Sequence, residues 1–277
     1  MTSRELLNSA AEELSRAGCP SPRVDADWLM AHVLGATRTE LYANGSRTPT
    51  PEEEHRFREL VERRKRREPL AYLLGEWGFR RLSLRVDTRV LIPRPETEAV
   101  VERCLELLAD VAEPRVLDVG VGSGAIALSI ADEHPGARVV ATESSEGALA
   151  VADENRARTG LADRVELVQG ELFAGLEGPF DLVVSNPPYV DPAEVDRLQP
   201  EVARYEPRQA LVAPGVTEAI AAGALTRLRP GGTLVLETAD GKAGEVAALL
   251  TRLEYGEVSI VEDLAGRERV VDGRAPH

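Results

Sequence analysis

The sequence predicts an α/β fold with a mainly parallel sheet, preceded by a small all-helical domain and joined to it by a β-hairpin. Three observations carry this. From Arg115 onward short apolar runs alternate with helical segments, the pattern of successive β-α units. From Ser3 to about Glu68 the apolar residues keep helical spacing throughout. Between Glu76 and Ile92 the period switches to alternation, as in Leu82-Ser83-Leu84-Arg85-Val86 and Val90-Leu91-Ile92 with Asp87-Thr88 between them. The expected division is therefore a helical domain over 1–75, a hairpin linker over 76–92 and the α/β domain over 93–277.

In the helical part, Leu6, Leu7, Ala10, Ala11 and Leu14 form one apolar stripe, closed by Gly18-Cys19-Pro20. A second helix runs from about Pro22 to Val33 with Gly35 as its stop, and a third spans about Pro51 to Arg67. That third helix carries Arg56, Arg58, Arg63, Arg64, Lys65, Arg66 and Arg67 interleaved with Glu59, Glu62 and Glu68. A solvated helix laced with charge pairs is favoured over a docking patch for nucleic acid or a partner. After the hairpin, Pro93-Arg94-Pro95 forms a stiff extended lead into a helix from Ala99 to about Val111, with Glu96 and Glu98 at its start. Strands are expected at 115–119, 138–142, 165–169, 182–185, 232–237, 258–261 and 269–271, with helices between them. Residues 187–205 form the one long irregular connection.

A chain of 277 residues with 43% hydrophobic content is long enough for two domains with a substantial core. No stretch approaches the roughly 18 apolar residues needed to cross a bilayer. Met1-Thr2-Ser3-Arg4-Glu5 lacks the apolar region of a secretory signal, so a cytoplasmic protein is expected. Cys19 and Cys104 lie far apart and read as free thiols, and four scattered histidines argue against a metal site or a His-based dyad. A net charge of −14 weighs against tight, sequence-independent binding to nucleic acid, which depends on cations that displace phosphate counterions.

The run Ser185-Asn186-Pro187-Pro188-Tyr189 follows the apolar segment Phe180-Asp181-Leu182-Val183-Val184. Two prolines lock φ and remove two N–H donors, so the turn presents carbonyl oxygens and the Asn186 side-chain oxygen without competing donors. The Tyr189 ring can lie flat against a planar amide or base. Such a corner suits a planar NH2 group, whose two hydrogens it could accept; the plain alternative is a proline-rich turn after a strand.

The first α/β strand ends in Asp118-Val119-Gly120-Val121-Gly122-Ser123-Gly124 and runs into a helical segment. Glycines there permit a sharp turn and the close approach of a ligand, which fits a dinucleotide, S-adenosylmethionine or simple strand–helix packing. Glu143 closes the second strand about twenty residues further on, where a carboxylate can accept from both ribose hydroxyls. The third spacing of a dinucleotide loop is missing. Asp118 would repel a pyrophosphate and suits an ammonium or sulfonium group. Glu171 offers a further acceptor for an adenine amino group. Capping of nearby N–H groups at the strand ends is the alternative for Asp118 and Glu171.

With these features the chain resembles the class I (Rossmann-like) S-adenosylmethionine-dependent methyltransferases. Within them it is similar to the HemK/PrmC family, the protein-(glutamine-N5) methyltransferases acting on peptide chain release factors. The resemblance runs over nearly the whole chain. It includes Pro22-Arg23-Val24-Asp25-Ala26, Arg38-Thr39-Glu40-Leu41-Tyr42, Leu91-Ile92-Pro93-Arg94-Pro95-Glu96-Thr97-Glu98 and Asp263-Leu264-Ala265-Gly266-Arg267-Glu268-Arg269. It implies a mixed seven-stranded sheet and S-adenosylmethionine as cofactor, held by Asp118, Gly120, Gly122, Gly124, Glu143, Glu171, Leu172 and Asn186. It implies catalytic roles for Asn186, Pro187 and Tyr189, and a substrate side completed by Pro188, Arg94 and Glu96. The implied substrate is the glutamine of the Gly-Gly-Gln loop of release factors. The sequence departs from the family pattern at Val121, at Gly78-Phe79-Arg80-Arg81, and at Glu143 and Glu171, where Asp is commoner. A paralogue methylating another amide or amino nitrogen, on a nucleic-acid base or a small molecule, is the competing reading, and a cofactor-binding scaffold without turnover is a further one.

Overall fold

A computed structural model describes residues 1–43 and 47–277; residues 44–46 of the helical stretch lie outside the described residues. The chain divides into two compact units, one of residues 1–76 with 197–205, the other of residues 77–196 with 206–277.

In the first unit, α1 (Ser3–Arg16) starts at a capping box in which Thr2 and Glu5 satisfy each other's backbone N–H. Its face Leu6, Leu7, Ala10 and Leu14 is buried. α2 (Pro22–Leu34) opens on proline and stops at Gly35, whose φ of 59° continues no helix. α3 (Arg38–Ala43) is short. α4 (Pro51–Lys65) repeats the capping box with Thr50 and Glu53, and α5 (Leu70–Leu74) closes on Gly75. Leu29, Met30, Phe57 and Val61 fill the core. The basic stretch of α4 is largely paired within the unit: Arg58 with Glu54, Arg63 with Glu68, Lys65 with Glu13 and Glu62. Arg64 is buried, bridging Asp25 and Glu201 at 2.8 Å each, and Arg67 also meets Glu201.

The hairpin is shorter than the alternation predicts. Its strands are β1 (Glu76–Phe79) and β2 (Leu82–Arg85), and the turn lies at Arg80-Arg81 rather than Asp87-Thr88. Val90 and Ile92 are buried without joining a strand, which explains their apolar alternation. Arg80 takes a positive φ of 49° at the turn, and its side chain meets Glu133 and Glu102.

The second unit continues with α6 (Thr97–Leu108), β3 (Arg115–Val119), α7 (Ala125–Glu133), β4 (Arg138–Glu143), α8 (Glu146–Thr159), β5 (Val165–Gln169) and β6 (Phe180–Ser185). The connection after β6 carries a 3-10 turn, Val195–Arg197, and α9 (Pro200–Tyr205); of it, residues 197–205 fold with the first unit. Then come α10 (Val216–Leu225), β7 (Leu228–Glu237), α11 (Ala243–Arg252), β8 (Gly256–Glu262) and β9 (Glu268–Arg274). All seven expected strands are present, several longer by one to four residues at an end. They form one mixed sheet in the order β5-β4-β3-β6-β7-β9-β8, parallel except that β9 runs antiparallel to both neighbours.

Successive strand residues point to opposite faces, so Val116, Leu182, Val184 and Val235 pack with α6 and α7, while Leu117, Val183, Leu234 and Leu236 pack with α10 and α11. The strand order reverses at β3: β4 lies on one side of it, β6 on the other. The loops leaving β3 and β6 diverge there, opening a crevice at the carboxyl ends of the strands, where open α/β sheets bind their ligands.

Candidate ligand and substrate site

A cavity of about 310 Å³ occupies that crevice. The glycine loop after β3 forms one wall, the ends of β4 and β5 another, and the Asn186-Pro187-Pro188 corner a third. Of the residues singled out in the sequence, Gly120, Gly122, Glu143, Glu171, Leu172, Asn186, Pro187, Pro188 and Arg94 face this space. Asp118, Gly124, Tyr189 and Glu96 are not among the residues that line it.

The loop turns through positive φ at Gly120 (84°), Gly122 (54°) and Gly124 (90°), a region open to glycine at little cost. Backbone bonds from Gly120 and Val121 N–H to the Thr142 carbonyl, both 2.9 Å, pin the loop to β4. Glu143 continues that link: its carboxylate accepts the N–H of Gly122 at 3.0 Å and of Ser145 at 2.9 Å. A Cβ on Gly120 or Gly122 would meet nothing within 4 Å, so the space above these two glycines is a cradle that only a side chain or a ligand would fill. At Gly124, at the start of α7, a Cβ would fall 2.8 Å from Leu128 Cδ1 of the same helix.

Asp118 is almost fully buried. Its Oδ2 accepts the Ala127 N–H at 3.1 Å, the strand-end capping considered above, while Oδ1 has no hydrogen-bond partner. Burial pushes this carboxyl up to about 7, the Ala127 N–H opposing and the charge of Glu143 adding to the rise. A buried carboxylate with an unused oxygen beside the glycine cradle suits a cationic ligand group, which would restore its charge. Leu172 holds a positive φ of 51° on the opposite wall, a strained setting for a branched side chain.

Val121 is buried, and the loop's turn is held by its backbone bonds to Thr142 and by the Glu143 carboxylate, so the side chain at this position takes no polar part in building it. The corner itself is locked from beneath. Ser185 donates its hydroxyl to the Val119 carbonyl at 2.6 Å, tying the end of β6 to β3. Asn186 Nδ2 donates to Thr97 Oγ1 at 3.3 Å, and Tyr189 donates its hydroxyl to Glu237 Oε1 at 3.3 Å. Burial, with Glu237 and Glu96 nearby, pushes the Tyr189 hydroxyl well above the usual tyrosine range. Arg94 reaches both oxygens of buried Glu206 at 2.6 Å, which sets its guanidinium on the cavity rim. Thr97, Glu206 and Glu237 escaped the sequence reading. Thr97 and Glu237 could have been sought at a helix start and a strand's carboxyl end; Glu206 carries no comparable signal.

Residues 5–75 match the family model of the PrmC N-terminal domain, and residues 99–203 that of the methyltransferase small domain. The chain is 45% identical over 280 residues to the release factor glutamine methyltransferase of Deinococcus radiodurans, covering 99% of each. It is 41% identical to the release factor glutamine methyltransferase of Geobacter sulfurreducens, covering 99% of this chain and 96% of that one. A methyltransferase structure from Pyrococcus furiosus shares the fold, with a TM-score of 0.51 at 20% identity, over 70% of this chain and 89% of that one. Identity at this level over nearly the full length places the chain in a family: it belongs to the release factor glutamine methyltransferases.

Proposed function

We propose that the protein transfers a methyl group from S-adenosylmethionine to the side-chain amide nitrogen, N5, of the glutamine in the Gly-Gly-Gln loop of peptide chain release factors. The observation that carries this reading is the Asn186-Pro187-Pro188 corner facing the same cavity as the glycine cradle. In it, the donor end of the Asn186 amide is already engaged by Thr97, leaving its oxygen free.

When bound, S-adenosylmethionine supplies an electrophilic methyl carbon. Gly120, Gly122, Glu143, Glu171 and Leu172 would hold it, with Asp118 behind the loop compensating its positive charge. An amide nitrogen is a poor nucleophile because its lone pair is delocalised into the carbonyl. Positioning must therefore do most of the work, and alignment of two bound reactants can lower a barrier by about 7–11 kcal/mol. Asn186 Oδ1 and the Pro187 carbonyl accept the two amide hydrogens and set the nitrogen toward the methyl carbon. Tyr189 flanks the amide plane, and Pro188 stiffens the turn. On methyl transfer the nitrogen held at this corner would give up its extra proton to solvent. Arg94 and Glu96 are assigned to the substrate side, and residues 1–75 to reception of the release factor. Among the described residues no helix is long and apolar enough to cross a membrane, which is compatible with action on a cytoplasmic protein.

The test is incubation of the purified protein with methyl-labelled S-adenosylmethionine and bacterial release factors, followed by peptide sequencing by mass. A single added methyl on the Gly-Gly-Gln glutamine is expected. Label on RNA, or on any other residue, overturns the assignment.

A further inference from the structure

We propose that Val24, Trp28, Arg38 and Tyr42, gathered around the buried carboxylate of Asp27, form the surface of the helical unit on which the release factor docks, offering to it an apolar side chain's seat and a partner for a carboxylate. The proposal deepens the assignment of residues 1–75 to reception of the release factor and rests on it.

The stretches Arg23–Asp27 and Arg38–Tyr42 lie apart in the chain, one on α2 and the other on α3. Asp27 joins them. It is 1% exposed; its Oδ1 accepts Arg23 Nε at 3.1 Å, its Oδ2 accepts the Tyr42 hydroxyl, and Arg38 Nη2 stands 3.6 Å from Oδ2. Arg23 also donates to Asn8 Oδ1 on α1 at 2.8 Å. Both guanidiniums lie over rings: Arg23 is 5.9 Å from the centroid of Tyr42 and Arg38 is 5.6 Å from that of Trp28, the distance of a cation–π contact. Val24 and Trp28 are four apart on α2, as are Arg38 and Tyr42 on α3, so each pair shares a helix face. One buried carboxylate thus orders an apolar and cationic surface built from two helices.

Trp28 and Val24 are each 41% exposed and Tyr42 is 53% exposed, three of the seven large hydrophobic side chains exposed among the described residues. Scattered singly, such side chains need no explanation; grouped with arginines they have the composition of an interface hot spot. Side chains already held by Asp27 lose little freedom on contact, so less of the gain from burying them is offset by ordering. Charge narrows the occupant. Two guanidiniums meet one carboxylate, which leaves the patch a single positive charge in a chain of net charge −14. A second copy docked by two-fold symmetry would set these arginines against their own counterparts, because such a contact pairs a patch with itself. A single nucleic-acid strand asks for open ring faces and a row of cations. Here each ring already carries a guanidinium on one face, and Asp27 takes up half of the positive charge. A protein that presents an apolar side chain beside a carboxylate satisfies both parts of the patch, and the protein on which this family acts is the release factor.

The experiment uses the full-length protein, a bacterial release factor and labelled S-adenosylmethionine. Trp28→Ala removes the ring, and Val24→Asp sets an anionic group beside it; both positions are exposed, and should the first variant fold poorly the second carries the test. Each should raise KM for the release factor about tenfold or more, the loss expected when a hot-spot contact is removed. At saturating release factor kcat should stay within about twofold of the parent, as should cofactor affinity by calorimetry. Trp28→Phe, which keeps a ring beneath Arg38, should recover part of the loss. Parental KM in Val24→Asp or in a folded Trp28→Ala, or a fall in kcat with KM unchanged, would overturn the proposal. Two further outcomes would do the same by naming another occupant: a short single-stranded RNA that binds the parent but not Trp28→Ala by fluorescence anisotropy, or a dimer in sedimentation that Val24→Asp dissociates. A release factor left unmethylated by the parent would instead overturn the reading of the activity.

Discussion

The Glu143 carboxylate accepts the Gly122 N–H at 3.0 Å, so a side chain at the end of β4 holds the loop that ends β3. The same carboxylate takes the Ser145 N–H at 2.9 Å, and each oxygen keeps a lone pair for a ligand hydroxyl. Glu143 thus builds the cradle and lines it. Replacing it with Ala should weaken cofactor binding about 10- to 100-fold, the cost of losing charge-assisted hydrogen bonds worth about 1.5–3 kcal/mol. Calorimetric titration checks this; a change under threefold would remove Glu143 from the binding site.

Asn186 plays a different part, since its amide meets the cavity at the corner rather than at the glycine loop. Asn186→Ala should reduce kcat by about 10²–10³, the range found when one positioned hydrogen-bonding group is removed from a reacting centre. The cofactor dissociation constant should hardly move. Single-turnover methyl transfer alongside calorimetry separates the two, and parallel losses in rate and cofactor affinity would contradict the assigned division of labour.

The glycines of the loop divide by what a Cβ would meet. At Gly122 it meets open space, so Gly122→Ala should cost only about 1 kcal/mol of stability from its left-handed φ of 54°, while obstructing the ligand. At Gly124 it meets buried Leu128 at 2.8 Å with φ at 90°, so Gly124→Ala should cost about 1–3 kcal/mol. Urea denaturation of the ligand-free protein should rank the two in that order, and cofactor titration should rank Gly122→Ala as the more damaging.

This contrast shows what could be read along the chain. Glycine loop, second-strand acid and proline corner each lie within a few consecutive residues, so their chemistry is local and visible in one dimension. The groups behind the corner are not. Thr97 and Asn186 are 89 positions apart and Tyr189 and Glu237 48 apart; they meet only because β6 lies between β3 and β7 and α6 packs on that face. The extent of the hairpin is hidden for a related reason. Val90 and Ile92 alternate like a strand because both are buried, yet both lie outside the strands of the hairpin, while the true turn uses Arg80, a residue carrying no turn signal. Likewise α9 hides in an apparently irregular connection because Glu201 is held by Arg64 and Arg67, 137 and 134 positions away.

Glu237 gives stability a pH signature. Burial lifts its carboxyl from 4.5 to about 7 in the folded chain, against the opposing hydrogen bond from the Tyr189 hydroxyl. The folded state therefore holds a proton that the unfolded state has already released. Its contribution is fully present below about pH 4.5 and is lost as pH rises through about 7. Glu237→Gln removes this dependence. The variant should gain on the parent by on the order of 3 kcal/mol between pH 4 and pH 8, measured as the difference in unfolding free energy. A gap that stays constant over that range would mean that the carboxyl titrates normally.

The helical unit offers a test of buried against exposed pairing on one helix. Arg64 is 4% exposed and bridges Asp25 and Glu201, whereas Arg58 on the same α4 pairs with Glu54 at the surface. Removing Arg64 leaves Asp25, itself 5% exposed, without its ion-pair partner, while Arg67 still holds Glu201. Arg64→Ala should cost about 3–5 kcal/mol, the usual result of stranding a buried charge. Arg58→Ala should cost less than about 1 kcal/mol. Burial already raises the Asp25 carboxyl against the pull of Arg64, so in Arg64→Ala it should rise further and the variant should recover stability as pH falls toward 4. Thermal unfolding at pH 7.5 and pH 4.5 checks both the ranking and the recovery; equal losses for the two arginines would show that the Arg64 bridge contributes no more than a surface pair.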